Sequence, residues 1–207
     1  MNLDLLLSSR WRHYEFQPSF LLGFHGCDEA VGEAILRGKE SHLQPSANSY
    51  DWLGEGIYFW EGNPQRALDF AKERAGGGKN SRGRIKTPFI LGAIINPKRC
   101  LDLADSSAIA QVKLAHEDLA SVFETAGEKL PSNSKNFRMR ELDCLVFNAL
   151  HALREKKGLS SYDTVRGLFW EGEPIYEGAG IQENNHIQIC VRDTSCILGY
   201  FRPVEMP

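Results

Sequence analysis

Residues Phe20 to Ala75 read FLLGFHGCDEAVGEAILRGKESHLQPSANSYDWLGEGIYFWEGNPQRALDFAKERA. An apolar run, Phe20 to Phe24, ends in His25-Gly26-Cys27, and a second dense cluster follows at Gly54-Glu55-Gly56-Ile57-Tyr58-Phe59. The first run is short, aliphatic and aromatic, and closed by glycine, which predicts a buried strand over Phe20 to His25. Asp28 predicts the N-cap of a helix with Val31, Ala34 and Ile35 on one face, stopped by Gly38. Pro45, Ser46, Asn48 and Asp51 mark a loop, and Ile57 to Trp60 reads as the next strand. Asn63-Pro64 opens a second helix, a cap followed by proline at the first helical position. That helix carries Ala67, Phe70, Ala71 and Arg74 on neighbouring turns. Glycines at 54 and 56 let the backbone before the aromatic strand come close to a flat neighbour.

Working outward, Pro88 to Asn96 (PFILGAIIN) is the clearest core strand and Pro97 ends it. Cys100 to Leu103 reads as a short strand. Helical spacing runs over about 106 to 127 (Ile109, Val112, Leu119, Val122, Phe123) and about 140 to 157 (Leu142, Leu145, Val146, Ala149, Leu153). Thr164 to Trp170, His186 to Arg192 and Cys196 to Arg202 read as strands. Between the first two, Glu171 to Asn185 (EGEPIYEGAGIQENN) reads as a long loop. Residues 76–84 read as an exposed glycine-rich loop, and residues 3–10 as a short helix or arm. Strands at both ends of a helical middle predict an α+β domain with a mostly antiparallel sheet.

A chain of 207 residues is long enough for one well-buried core. The expectation is therefore one domain over 1–207, with an N-terminal arm or helix over 1–19. A net charge of −3 advertises no surface for nucleic acid or membrane. Five cysteines, an odd number without CxxC spacing, predict reduced, buried thiols in a cytoplasmic protein. Histidines and cysteines are scattered, so no metal site is expected. The N-terminus lacks the basic start and long apolar core of a signal peptide, and no apolar run is long enough to span a bilayer.

The pairing of His25-Gly26 with a GxGIYF cluster about thirty residues later resembles the ADP-ribosyltransferases of the diphtheria-toxin and poly(ADP-ribose) polymerase type, the histidine–tyrosine class. The resemblance is specific over about fifty-five residues and looser elsewhere. It implies an ADP-ribosyltransferase-like split, mostly antiparallel sheet with flanking helices. It implies NAD as substrate, with His25 bonding a ribose hydroxyl, the Gly26 backbone holding the nicotinamide amide and Tyr58 stacking on the ring. Gly56, Arg66 and Phe70 would line the same pocket, with Trp52 or Trp60 as a further wall.

In such enzymes a glutamate near the start of a late strand steadies the oxocarbenium-like transition state. Here the matching strand is HIQICVRD, and strand alternation puts His186 and Gln188 on one face and Ile187, Ile189 and Val191 on the other. Gln188 fills the glutamate's position and gives a His25, Tyr58, Gln188 triad. An amide orients ribose hydroxyls but brings no charge, so Glu183, with Glu177 as a further candidate, is the alternative carboxylate. Glu171, Glu173 and Glu177 otherwise read as a solvated loop face, and His186 as structural. The implied activity is mono-ADP-ribosyl transfer to a protein or nucleic acid, in a toxin, effector or defence enzyme with an antitoxin or immunity protein as partner. A catalytically inactive NAD-binding module and an NAD glycohydrolase are the alternatives.

Overall fold

The computed structural model describes residues 19–76, 85–136 and 138–204. In chain order the elements are β1 (Leu21–Asp28), α1 (Glu29–Leu36), β2 (Ile57–Glu61), α2 (Pro64–Ala75), β3 (Pro88–Ile95) and β4 (Cys100–Asp102). They continue with α3 (Ser106–Ala126), α4 (Glu141–Lys156), β5 (Thr164–Phe169), β6 (His186–Val191) and β7 (Ile197–Phe201). All seven strands form one sheet in the order β4-β5-β6-β2-β1-β3-β7. Only β4 and β5 run parallel; the other neighbouring strands are antiparallel. The fold is α+β, as the alternation of segments predicts.

Local chemistry fixes the helix starts. The Asp28 carboxylate accepts from the Ala30 amide at 3.0 Å and also from the Lys86 and Thr87 amides at 2.6 and 3.2 Å, tying α1 to the segment before β3. Asn63 Oδ1 accepts from the Arg66 amide at 3.0 Å and Pro64 follows it, so α2 begins where the sequence says. β1 runs three residues further than expected, to Asp28, because Gly26 to Asp28 continue the ladder with β3, opposite Ile90 to Pro88.

Two faces follow from the registers. Phe24, Tyr58, Trp60, Val165, Phe169, Gln188 and Cys190 share the face that receives α2, α3 and α4. On the opposite face Ile57, Phe59, Leu91, Ala93, Ile95, Ile189 and Val191 pack with Ile35 of α1 and with Leu43. Phe59, Leu91, Ile95 and Ile189 are fully buried, each stabilising the fold by about 1.5–3 kcal/mol relative to exposure.

The 171–185 segment is a hairpin-like excursion rather than an open loop. The Asn184, Glu183 and Ile175 amides donate to the Glu171, Glu173 and Ile181 carbonyls at 2.8, 3.0 and 3.1 Å, and Ala179 closes the tip on Tyr176 at 3.0 Å. Residues 3–10 and 77–84 lie outside the described residues. Among the described residues no helix is long and apolar enough to cross a membrane.

Candidate functional site

The two motifs meet at the centre of the sheet. β1 and β2 pair at Gly23–Glu61 and Phe24–Trp60, and the ladder goes no further towards Tyr58. There the His25 imidazole takes over: its Nδ1 lies 2.7 Å from the Tyr58 carbonyl oxygen. A carbonyl only accepts, so the proton sits on Nδ1 and Nε2 keeps an open lone pair. Burial depresses the imidazole pKa more than the carbonyl bond raises it, which keeps the ring neutral near pH 7. The His25 ring meets Phe59 edge-on at 5.9 Å.

That contact puts His25 on the face opposite Tyr58 and Gln188, so the three expected triad side chains do not all point the same way. Tyr58 is held at its hydroxyl, which donates to the Gly54 carbonyl at 2.6 Å and accepts from the Leu53 amide at 2.8 Å. Burial raises the phenol pKa well above its ordinary value. The tyrosine thus braces the Leu53-Gly54 turn. Its ring packs against the cluster of Leu53, Val165, Phe169 and Cys190.

The motif glycines are explained by close neighbours inside the protein. A Cβ on Gly26 would stand 2.2 Å from the Ala67 carbonyl oxygen, so α2 backbone fills the space beside it. A Cβ on Gly56 would meet Cys190 Sγ at 2.5 Å and the Val191 carbonyl at 2.7 Å. The flat neighbour that the glycines admit is therefore β6.

Gln188 pairs with Trp60 on one side and Gly167 on the other. It is half-buried, and its side-chain amide makes no hydrogen bond among the described residues. His186 lies two residues earlier on the same face, among aromatic rings: Phe169 at 5.7 Å, Trp52 at 6.1 Å and Trp60 at 6.4 Å. Its Nδ1 bonds the Asn184 carbonyl at 2.7 Å, while Nε2 is buried without a partner. Burial is the main cause of its lowered pKa; the Asn184 carbonyl and Glu171 oppose the shift.

Arg66 is no surface arginine. It is 9% exposed, its guanidinium carbon lies 5.7 Å from the Trp60 ring centre, and one Nη donates to Glu171 Oε2 at 2.9 Å. Phe70, one turn on, packs on Trp60 at 5.0 Å. Glu183 and Glu177 stand exposed on the excursion, and the Glu183 carboxylate comes no closer than 3.5 Å to the Glu173 amide. On the opposite face Arg166 clasps Glu61 at 2.6 and 3.1 Å and Asp102 at 3.2 and 3.3 Å, an ion-pair network bridging β2, β5 and β4.

Trp52 and Phe169, which flank His186, also line a largely apolar cavity of about 650 Å³ between α3, α4 and the end of β5. Arg140 covers the Trp52 ring at 4.2 Å.

Compared with known proteins, the chain matches no family model and no curated protein. The structure brings Gln188, Arg66, Phe70 and Tyr58 to one face, with His25 reaching the same strand from behind. Glu171, expected on a solvated loop face, instead lies half-buried on that face with its Oε2 2.9 Å from Arg66, and the expected structural His186 stands beside it at 3.8 Å. His186 was legible as a neighbour of Gln188 by alternation. Glu171 was not, because its place depends on Phe169 standing opposite His186.

Proposed function

We propose that this chain is an NAD-dependent mono-ADP-ribosyltransferase. The observation that carries the proposal is the meeting of its two motifs. His25 and Tyr58 are 33 residues apart, and their contact falls where β1 and β2 stop pairing. An open lone pair on His25 Nε2 suits a ribose hydroxyl, since a neutral imidazole accepts on the nitrogen that bears no proton. The unengaged Gln188 amide lies across the sheet from His25, on the face of Trp60 and Arg66, and suits a hydroxyl of the other ribose of NAD. Phe70, half-buried against the Trp60 ring, supplies apolar surface for a nicotinamide ring.

In this reading nicotinamide leaves C1′ of its ribose and a nucleophile on a protein or nucleic acid takes its place. Positioning and electrostatic help at the developing cation supply most of the rate. A cytoplasmic location, a role as toxin, effector or defence enzyme, and an antitoxin or immunity partner belong to the same proposal by resemblance. One observation favours a second reading, an NAD-binding module without turnover: the residue at 188 is an amide and brings no charge.

The test is incubation of the purified chain with NAD labelled in its adenylate part, with and without cell extract. Nicotinamide release only with extract, with label on macromolecules, supports transfer. Release without extract means hydrolysis, and binding without release means a module. Gln188→Glu restores the missing carboxylate and is expected to keep or raise nicotinamide release. A loss of release in that variant counts against Gln188 as a ribose contact.

A further inference from the structure

We propose that the apolar cavity between α3, α4 and the end of β5 binds a small amphipathic carboxylate, its apolar body inside and its charge at the mouth. The inference goes beyond the transferase reading and stands independently of it.

The cavity exists because short side chains meet where longer ones would close the gap. α3 presents Val112, α4 presents Val146, and Ala104 lies just before α3. Leu142 and the rings of Trp52 and Phe169 complete the walls. Val146 and Phe169 are buried, so the inner surface is apolar. The volume is about 650 Å³. Packed interiors leave few voids larger than a water molecule, whereas pockets that enclose whole small molecules run from about 300 to 1,000 Å³. One side chain of a partner protein would leave most of that space empty.

The opening carries apolar surface as well. Ile109, Leu168 and Trp170 line the cavity and are 50%, 44% and 64% exposed. Apolar side chains gathered around one opening differ from the singly scattered ones of an ordinary surface, and they mark a place where ligands bind.

Charge selects the other end of the ligand. Among the described residues the ionisable members of the lining are Lys113, His116, Arg140 and Asp143. Lys113 and His116 stand one turn apart on the same side of α3. Arg140 lies over the Trp52 and Phe169 rings at 4.2 and 4.9 Å. The Asp143 carboxylate is engaged, by Arg140 at 3.5 Å and by the Asn133 side-chain amide at 2.7 Å. Lys113 pairs with Glu117 at 3.9 Å, but its side chain is 77% exposed, and solvent screens such a pair. Two permanent cations against one committed carboxylate favour an anionic head over a cationic one. Lys113, long and exposed, is the residue that meets that head, with His116 beside it.

Occupancy has a built-in reporter. Trp52 and Phe169 are shared between the cavity and His186, which lies 6.1 and 5.7 Å from their rings. A ligand against Trp52 changes the surroundings of that indole and hence its fluorescence.

The experiment titrates the full chain with decanoate, octanoate, decanol and decyltrimethylammonium, followed by calorimetry and tryptophan fluorescence. One decanoate is expected to bind per chain with Kd on the order of 100 µM. Octanoate is expected to bind about 15-fold more weakly, since each buried methylene changes affinity about 4-fold. Decanol and decyltrimethylammonium are expected to bind at least about 5-fold more weakly than decanoate, the scale of a partly exposed ion pair. Val112→Trp fills the cavity and is expected to remove binding. Lys113→Glu changes an exposed side chain, so it tests the site even where Val112→Trp folds poorly. It is expected to weaken decanoate about 5-fold and leave decanol unchanged. No saturable binding of decanoate, equal affinity for decanol, or parent-like decanoate affinity in Lys113→Glu overturns the proposal. None of these results bears on the handling of NAD.

Discussion

The Tyr58 hydroxyl bonds the Gly54 carbonyl and the Leu53 amide at once, so deleting it strands two backbone groups beside the fully buried Leu53. Tyr58→Phe is expected to destabilise the fold by about 1–3 kcal/mol in urea denaturation. A change under about 0.5 kcal/mol would show that the hydroxyl is not a brace, since surface substitutions commonly stay in that range. His151 gives a pH-dependent counterpart. It is 2% exposed, its Nδ1 lies 2.8 Å from Ser161 Oγ, and burial, with Arg192 and Arg154 nearby, lowers its pKa to about 3. Its unfolded value is near 6.5. Between those values the unfolded chain binds the extra proton, so stability is full above about pH 6.5 and falls as the pH drops towards 3. His25 and His186 are shifted in the same direction. Replacing His151 by Gln is expected to make the stability loss between pH 6.5 and 5 about 2 kcal/mol smaller than in the parent; equal slopes would contradict a neutral buried His151.

At the scale of elements, what the sequence made legible follows from local chemistry. Caps at Asp28 and Asn63, proline at 64 and the apolar runs of β1 and β3 need only neighbours along the chain, and those elements are where they were expected. What stayed hidden depends on register. No alternation in EGEPIYEGAGIQENN announces a hairpin, because its cross-bonds are backbone to backbone. The face of His25 is set by pairing with a strand some thirty residues away, which periodicity within either segment cannot reveal. Gly26 illustrates the difference. Its motif suggests a clamp for a ligand, whereas the fold presses the α2 backbone against it. Gly26→Ala is therefore expected to cost about 1–3 kcal/mol of stability, visible as a lowered Tm without any ligand. An unchanged Tm accompanied by lost NAD binding would favour the clamp over the packing contact.

For the whole molecule, the seven-stranded sheet separates two jobs. One face is an apolar core with α1, crossed at its edge by the Arg166 ion pairs with Glu61 and Asp102. The other carries the polar groups with unfilled hydrogen-bonding capacity: the Gln188 amide, the outer oxygen of Glu171, and the buried nitrogens of Trp60, Arg66 and His186. His25 links the faces through the Tyr58 carbonyl. Composition could not show this division, because a net charge of −3 is silent about where unpaired groups lie. The most direct measurement is nicotinamide release by the purified chain with labelled NAD and cell extract, run beside His25→Ala. The proposed function predicts release that depends on extract, label retained on macromolecules, and at least about a tenfold loss in His25→Ala, the equivalent of one lost hydrogen bond of about 1.4 kcal/mol. Absence of nicotinamide release in the parent, with or without NAD binding, or full activity in His25→Ala, would contradict it.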